Sequence, residues 1–248
     1  MNRCLHLLLL AVLFAGSFTD IARGQGAPSD REVDRSIVRA LSFLAAQQKP
    51  SGAWQLKNPS RGQDAASTTS LAVMAFMAAG HVPGEGPYGE AMERGVRWVL
   101  SNQRPNDGIF QNRAGNGPMY THGICTLMLA EVAGMVDASL SDRVRSSLEK
   151  AILVILRSQA VPKSQRHSGG WRYNASSNDS DLSVTGWQLL ALRAAKNIGC
   201  DVPAEAIEDA VSYVNKCAGR NGGFSYHPDQ GVNATRSGTG ILCLEICG

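Results

Sequence analysis

The feature that most limits what this chain can fold into is internal repetition. A Gly-aromatic turn followed by a Ser/Thr-led apolar helix recurs four times, with turns at Gly52/Trp54, Gly108/Phe110, Gly170/Trp171 and Gly223/Phe224. Before each turn stands an amphipathic helical pattern, as in Val33, Ile37, Leu41, Leu44 and Gln48 opposite Asp34, Arg35, Arg39 and Ser42. After each turn the pattern is apolar nearly all round, as in Ser67 to Met77. A helix of that kind has to be buried on most sides. A near-constant period with insertions confined to loops is the signature of a repeat array. The two helix types sort into layers, amphipathic helices outside and apolar helices inside, with the Gly-aromatic loops at one end. Helical hairpins arranged so close into an α/α barrel, and the expected fold class is all-α.

The first residues differ in kind. Arg3 and His6 precede the apolar run Leu7 to Gly16, and a polar stretch ends at Ala22-Arg23-Gly24. This reads as a signal peptide over 1–24, cleaved before Gln25, and predicts export to the periplasm or the extracellular space. A transmembrane helix needs about 20 apolar residues, and no stretch here supplies them. A polar lead follows over 25–32, and about four hairpin repeats fill 33–248. The fourth inner helix starts near Thr235 and the sequence stops at Gly248, which leaves apolar residues with no following repeat. Further repeats beyond residue 248, or an oligomer covering that edge, are therefore expected.

Composition excludes several classes. The net charge of +3 has no Lys/Arg cluster behind it, so no nucleic-acid partner is expected. Once the leader and Cys4 are removed, Cys125, Cys200, Cys217, Cys243 and Cys247 remain. An odd, widely spaced set is no disulfide framework, and most of these thiols sit in helical patterns as small buried hydrophobes. The glycines of Gly219 to Gly223 follow no strand and make no phosphate loop.

The stretches Ala40-x-x-Phe43-x-x-x-Gln47-x-x-x-x-Gly52-x-Trp54 and Gly95-x-x-Trp98-x-x-x-x-Gln103-x-x-x-x-Gly108-x-Phe110 resemble the Gln-Trp repeats of squalene-hopene and oxidosqualene cyclases. Protein prenyltransferase β subunits are wider relatives. The resemblance implies an αα-toroid, in which Gln bonds a neighbouring helix and the aromatic ring staples the loop. It also implies that Asp179-Ser180-Asp181-Leu182-Ser183 stands where the cyclases carry Asp-x-Asp-Asp-Thr. Asp181 then matches the proton donor, Asp179 the first Asp and Ser183 the Thr, while Leu182 replaces an Asp. An acid of that kind must be kept neutral in a dry cavity. The competing reading of Asp181 is an ionised helix N-cap.

Trp187, His122 and Tyr120 complete the candidate set as ligand contacts on the inner helices. Asp181-x-Ser183-x-x-x-Trp187-Gln188 resembles a prenyltransferase zinc stretch, but Ser183 stands in place of its Cys, so neither a metal nor another cofactor is expected. Three functions follow. One is an exported toroid that binds an extended apolar, isoprenoid-like small molecule, with acid-initiated cyclisation through Asp181. The second is a non-catalytic toroid that binds a protein or glycan partner. The third is a glycan-active α/α barrel drawing paired carboxylates from Asp64, Asp107, Asp179 or Asp181.

Overall fold

The structure, a computed structural model, describes residues 29–55, 64–111 and 117–247. The predicted leader at 1–24 lies outside the described residues. The chain divides into two units, 1–40 and 41–248. Of the first unit, the described part opens helix α1 (Asp30–Ala46). Its first turn is capped by Glu32, whose carboxylate accepts from both N and Oγ of Ser29 at 2.8 Å. Val33 and Ile37, expected on the packed face, are exposed, and Leu41 is the buried residue of this helix.

The second unit is built from hairpins. Its inner helices are α2 (Ala65–Ala78), α4 (Pro118–Val132), α6 (Leu182–Asn197) and α8 (Ala234–Cys247). Its outer helices are α3 (Gly89–Ser101), α5 (Ala138–Gln159) and α7 (Ala204–Lys216). The inner helices pack side by side in chain order, and the outer helices lie against them. A short antiparallel hairpin, β1 (Phe224–Ser225) with β2 (Val232–Asn233), precedes α8 and pairs Phe224 with Asn233. Among the described residues no helix is long and apolar enough to cross a membrane.

The repeat works through two sets of contacts. In the first three repeats a glutamine at the end of the outer-layer helix donates twice, to a carbonyl of its own loop and to one on the next outer helix, whereas α7 ends at Lys216 without one. Gln48 reaches Gly52 O (2.9 Å) and Ala91 O (2.7 Å). Gln103 reaches Gly108 O (3.0 Å) and Ser147 O (2.9 Å). Gln159 reaches Gly169 O (2.9 Å) and Ala206 O (2.8 Å). The first of these is Gln48 and not the Gln47 of the sequence motif. In the second set, each aromatic residue donates its main-chain N–H to the start of the following inner helix. Trp54 bonds Thr69 Oγ1 (3.0 Å), Phe110 bonds His122 Nδ1 (3.2 Å), Trp171 bonds Thr185 Oγ1 (3.0 Å) and Phe224 bonds Ser237 Oγ (3.0 Å).

The glycine two places before each aromatic sets the turn. Gly52 and Gly169 have φ of +93° and +90°, open to glycine at no steric cost. A Cβ on Gly52 would lie 2.5 Å from Arg94 O, and one on Gly169 would strike Asp209 O, both on the next outer helix. The third anchor is thus Gly169, with Gly170 wedged between the Tyr213 ring and Ser180, and the fourth is Gly222, at φ +88°. The five described cysteines are free, and Cys125, Cys217 and Cys243 are buried.

Candidate functional site at the loop end

Asp181 stands at the centre of a polar cluster at the loop end. Its backbone is extended (φ −135°, ψ 156°), its N–H donates to Trp171 O (2.9 Å), and the next N–H, of Leu182, donates to Tyr226 O (3.0 Å). Those two bonds hold the segment Trp171-Arg172-Tyr173 on one side of Asp181 and Tyr226-His227 on the other. A third backbone bond, Met119 N to Tyr173 O (3.1 Å), brings the start of α4 and Tyr120 alongside.

The side chains then interlock. Arg172 Nη1 donates to Asp181 Oδ2 (3.1 Å) and to Tyr226 Oη (3.0 Å), and Arg172 Nε lies 3.2 Å from Asp179 Oδ2. Tyr173 Oη and Tyr226 Oη are 2.5 Å apart. The Arg172 guanidinium lies 4.5 Å from the Tyr173 ring centre, and that of Arg236, on α8, lies 4.9 Å from the Tyr226 ring centre. Tyr120 and Tyr173 rings are 5.8 Å apart, and Tyr120 hydrogen-bonds Ser183. Burial, reinforced by the Asp181 charge, pushes the Tyr120 phenol up to about 12.

The two cations differ. Arg172 meets two carboxylates. Among the described residues no carboxylate pairs with Arg236, and its buried Nε has no hydrogen-bond partner.

Asp181 is fully buried and caps α6, with Oδ1 accepting from Val184 N at 2.9 Å. Its Oδ2 is taken by Arg172, and Tyr226 adds a hydrogen bond. Burial raises the carboxyl above the ordinary carboxylate range, while these donors favour its charged form. Of the residues singled out in the sequence, Asp179, Asp181, Ser183 and Tyr120 are brought together here. Trp187 stands one turn further along α6, partly buried.

His122 is not part of the cluster, which corrects its reading as a ligand contact. It has no exposed surface, its Nδ1 accepts from Phe110, and its Nε2 lies 3.0 Å from Ala151 O. Burial lowers its pKa to about 4, so the ring is neutral and spent on the fold. It fills the place that Thr69, Thr185 and Ser237 hold in the other repeats.

The other carboxylates named for the paired-carboxylate reading lie apart from this cluster in their own local contacts. Asp64 caps α2 and Asp107 pairs with Arg104. Among the described residues no group of three His, Cys, Asp or Glu could hold a metal ion.

Sequence reasoning missed Arg172, Tyr173, Tyr226, His227 and Arg236. The signal was present for the tyrosines, because Tyr173 and Tyr226 each stand two residues after an aromatic anchor.

With this geometry in hand, likeness to solved structures can be weighed. One similar structure is a polysaccharide lyase, with a TM-score of 0.58 and 14% identity over 85% of this chain and 66% of that one. Another is the ent-copalyl diphosphate synthase from Streptomyces platensis, with a TM-score of 0.50 and 17% identity over 82% of this chain and 36% of that one. The fold is an αα-toroid. The chain spans just under two thirds of the lyase and about a third of the synthase, so what the toroid shares with them is architecture. No protein-family model and no curated protein matches the sequence.

Proposed function

We propose that the loop end of this toroid binds an acidic carbohydrate, a uronate-bearing polysaccharide, and that the Tyr173–Tyr226 pair is its candidate proton-transfer group. The observation that carries this reading is the placement of two phenol oxygens 2.5 Å apart between Arg172, whose charge is met, and Arg236, whose charge no carboxylate among the described residues meets. A sugar ring offers hydroxyls to Tyr120, Tyr173 and Tyr226, and an apolar face to their rings. A carboxylate on that sugar supplies the counter-charge and the planar, charge-assisted hydrogen bonds that a guanidinium favours. A hydrocarbon covering the same groups would strip water from a cation and several hydroxyls without replacing a single hydrogen bond. The polysaccharide lyase among the similar structures agrees with this reading as an analogy of fold.

A second reading, an extended apolar ligand, draws support from a different surface. Trp187 and Leu190 on α6, Leu127 on α4 and Leu71 on α2 are incompletely buried at helical spacing along the inner layer. Proton donation by Asp181 fits that reading poorly, because both carboxylate oxygens already accept from donors that favour the ionised state.

Calorimetric titration of the full chain with a polyuronate, a neutral glucan of equal length and squalene-loaded vesicles separates the two. The polyuronate is expected to bind, and Arg236→Ala to weaken it at least about tenfold, some 1.4 kcal/mol. Equal binding of the neutral glucan, or retention of squalene alone, overturns the proposal. Export through the leader belongs to the same reading, and fractionation of cells expressing the whole chain reports it.

A further inference from the structure

The glutamines that staple the outer layer spend their amide nitrogens alike in the first three repeats, but their side-chain oxygens meet different partners. The staples set Ala91, Ser147 and Ala206 in register, because the main-chain carbonyls of these three accept from Gln48, Gln103 and Gln159. Three residues on, Arg94, Lys150 and Asp209 then correspond, and each turns its own carbonyl to the turn glycine of its repeat.

In the first repeat Arg94 Nη2 donates to Gln48 Oε1 (2.7 Å), while Arg94 Nη1 donates to Glu90 Oε1 one turn back. In the second, Ser147 Oγ donates to Gln103 Oε1 (2.7 Å). In the third, Ala206 has no hydroxyl and Asp209 brings a carboxylate, so Gln159 Oε1 has no hydrogen-bond partner among the described residues. Among the same residues no cation pairs with Asp209.

A cavity of about 350 Å³ opens at this junction of α5 and α7, lined by Gln159, Lys163, Ser168 and Asp209, with Leu156 and Pro203 as apolar walls. That is the small end of the range for ligand pockets and suits a single side chain or a ligand of few atoms. The side-chain donors in the lining are engaged. Gln159 Nε2 makes the two staple bonds, and Ser168 Oγ donates to Gln165 O (3.0 Å). Lys163 Nζ donates to Ser158 O (2.9 Å), Gln159 O (3.0 Å) and Val161 O (3.3 Å), so its charge is turned to the carbonyls at the end of α5. The two groups left over, Gln159 Oε1 and the Asp209 carboxylate, only accept.

We propose that this junction binds a guanidinium, from an arginine side chain or from free arginine. The guanidinium sits on Gln159 Oε1 and Asp209 as that of Arg94 sits on Gln48 Oε1 and Glu90. A planar fork of donors bridges a neutral oxygen and a carboxylate, which a compact ammonium does less well. Glu205 holds the register place of Glu90 on α7 and adds a second negative charge one turn from Asp209.

NMR titration of the full chain with N-acetyl-arginine amide, its uncharged isostere N-acetyl-citrulline amide and free arginine tests this site. The arginine amide is expected to shift the Gln159 side-chain amide signals and to bind at least about threefold more tightly than the citrulline compound. Tighter binding of free arginine than of the amide assigns the site to the amino acid, and the reverse assigns it to a peptide side chain; both uphold the guanidinium. Asp209→Arg rebuilds the first repeat's arrangement within the chain and Ala206→Ser rebuilds the second's. Each gives Gln159 Oε1 a resident donor and is expected to weaken the arginine amide at least about fivefold. Asp209→Asn keeps the shape and removes the charge, which covers the case of a larger substitution disturbing the fold, and is expected to weaken binding about threefold. Equal binding of the citrulline compound, or undiminished binding by Asp209→Asn and Ala206→Ser, overturns the proposal. So does the absence of any Gln159 shift at about 10 mM arginine amide.

Discussion

Trp54 and Trp171 do the same work in the first and third repeats. Each indole Nε1 donates to a carbonyl of the preceding outer-layer helix, Leu44 O at 2.7 Å and Ile155 O at 2.9 Å, and each main-chain N–H donates to a threonine Oγ1 at 3.0 Å. Both inner helices that follow are capped by a buried aspartate, Asp64 on Ala66 N at 2.8 Å and Asp181 on Val184 N at 2.9 Å. The repeats part company at the residues around that shared frame. In the third, Arg172 and Tyr173 follow the tryptophan directly, and the cap itself is bound by a cation. The comparison teaches that the frame is carried by Gly, aromatic, Gln and Thr positions, which leaves the residue after each aromatic free to carry chemistry.

The largest expected effect tests the frame. Trp54→Ala and Trp171→Ala each remove a buried indole and its hydrogen bond, and each is expected to destabilise the chain by about 3 to 5 kcal/mol in denaturant unfolding. If one of the two substitutions costs less than about 1 kcal/mol, the repeats do not share a frame and the comparison breaks.

The second repeat sharpens the same point, because His122 occupies the threonine position. Its pKa is about 4 in the fold against 6.5 for an ordinary histidine, since burial disfavours the charged ring. The depressed value means that the unfolded chain takes up the proton first as pH falls. The stability held by the neutral ring is full above about 6.5 and is lost as pH falls toward about 4, by about 3 kcal/mol in all. His122→Thr restores the residue that Thr69 and Thr185 provide, and is expected to flatten that limb of a pH series of urea melts. An unchanged limb would assign the acid sensitivity to other groups.

The frame was legible in the sequence because its parts lie close together along the chain. A glycine and an aromatic fall in order within each repeat, with a glutamine ahead of them in the first three and a hydroxyl residue after them in all but the second, and the helical periods flank them. The errors are small and physical. Gln48 lies on the packed face while Gln47 does not, and Gly169 takes the positive φ while Gly170 is merely crowded. The site was less legible because its bonds join residues that are distant in sequence, with Arg172 reaching Tyr226 across 54 positions. Asp181 stood out through its neighbours in a motif, yet its charge is set first by its burial, which raises the carboxyl, and then by the opposing donors Val184 N and Arg172, none of which the motif announces. Arg236 had no sequence signal, because only the packing of α8 beside the β1–β2 hairpin puts it over Tyr226.

The smallest expected effect divides the two caps most sharply. Asn is as good an N-cap as Asp, so Asp64→Asn and Asp181→Asn should each change stability by less than about 1 kcal/mol through the cap alone. Their effects on binding should differ in kind. Asp64→Asn is expected to leave polyuronate affinity within about twofold. Asp181→Asn removes a negative charge 3.1 Å from Arg172 and leaves Asp179, among the described residues, to offset that cation, so the potential around Arg236 and Arg172 becomes more positive. Across the remaining distance to a bound carboxylate that is worth on the order of 1 kcal/mol, or about fivefold tighter binding by calorimetry. Weaker binding would mean that Asp181 touches the ligand as a donor, the role an acid-initiated reaction requires. Tighter binding would mean that the carboxylate restrains Arg172, and that the third repeat has turned an ordinary helix cap into the counterweight of an anion site.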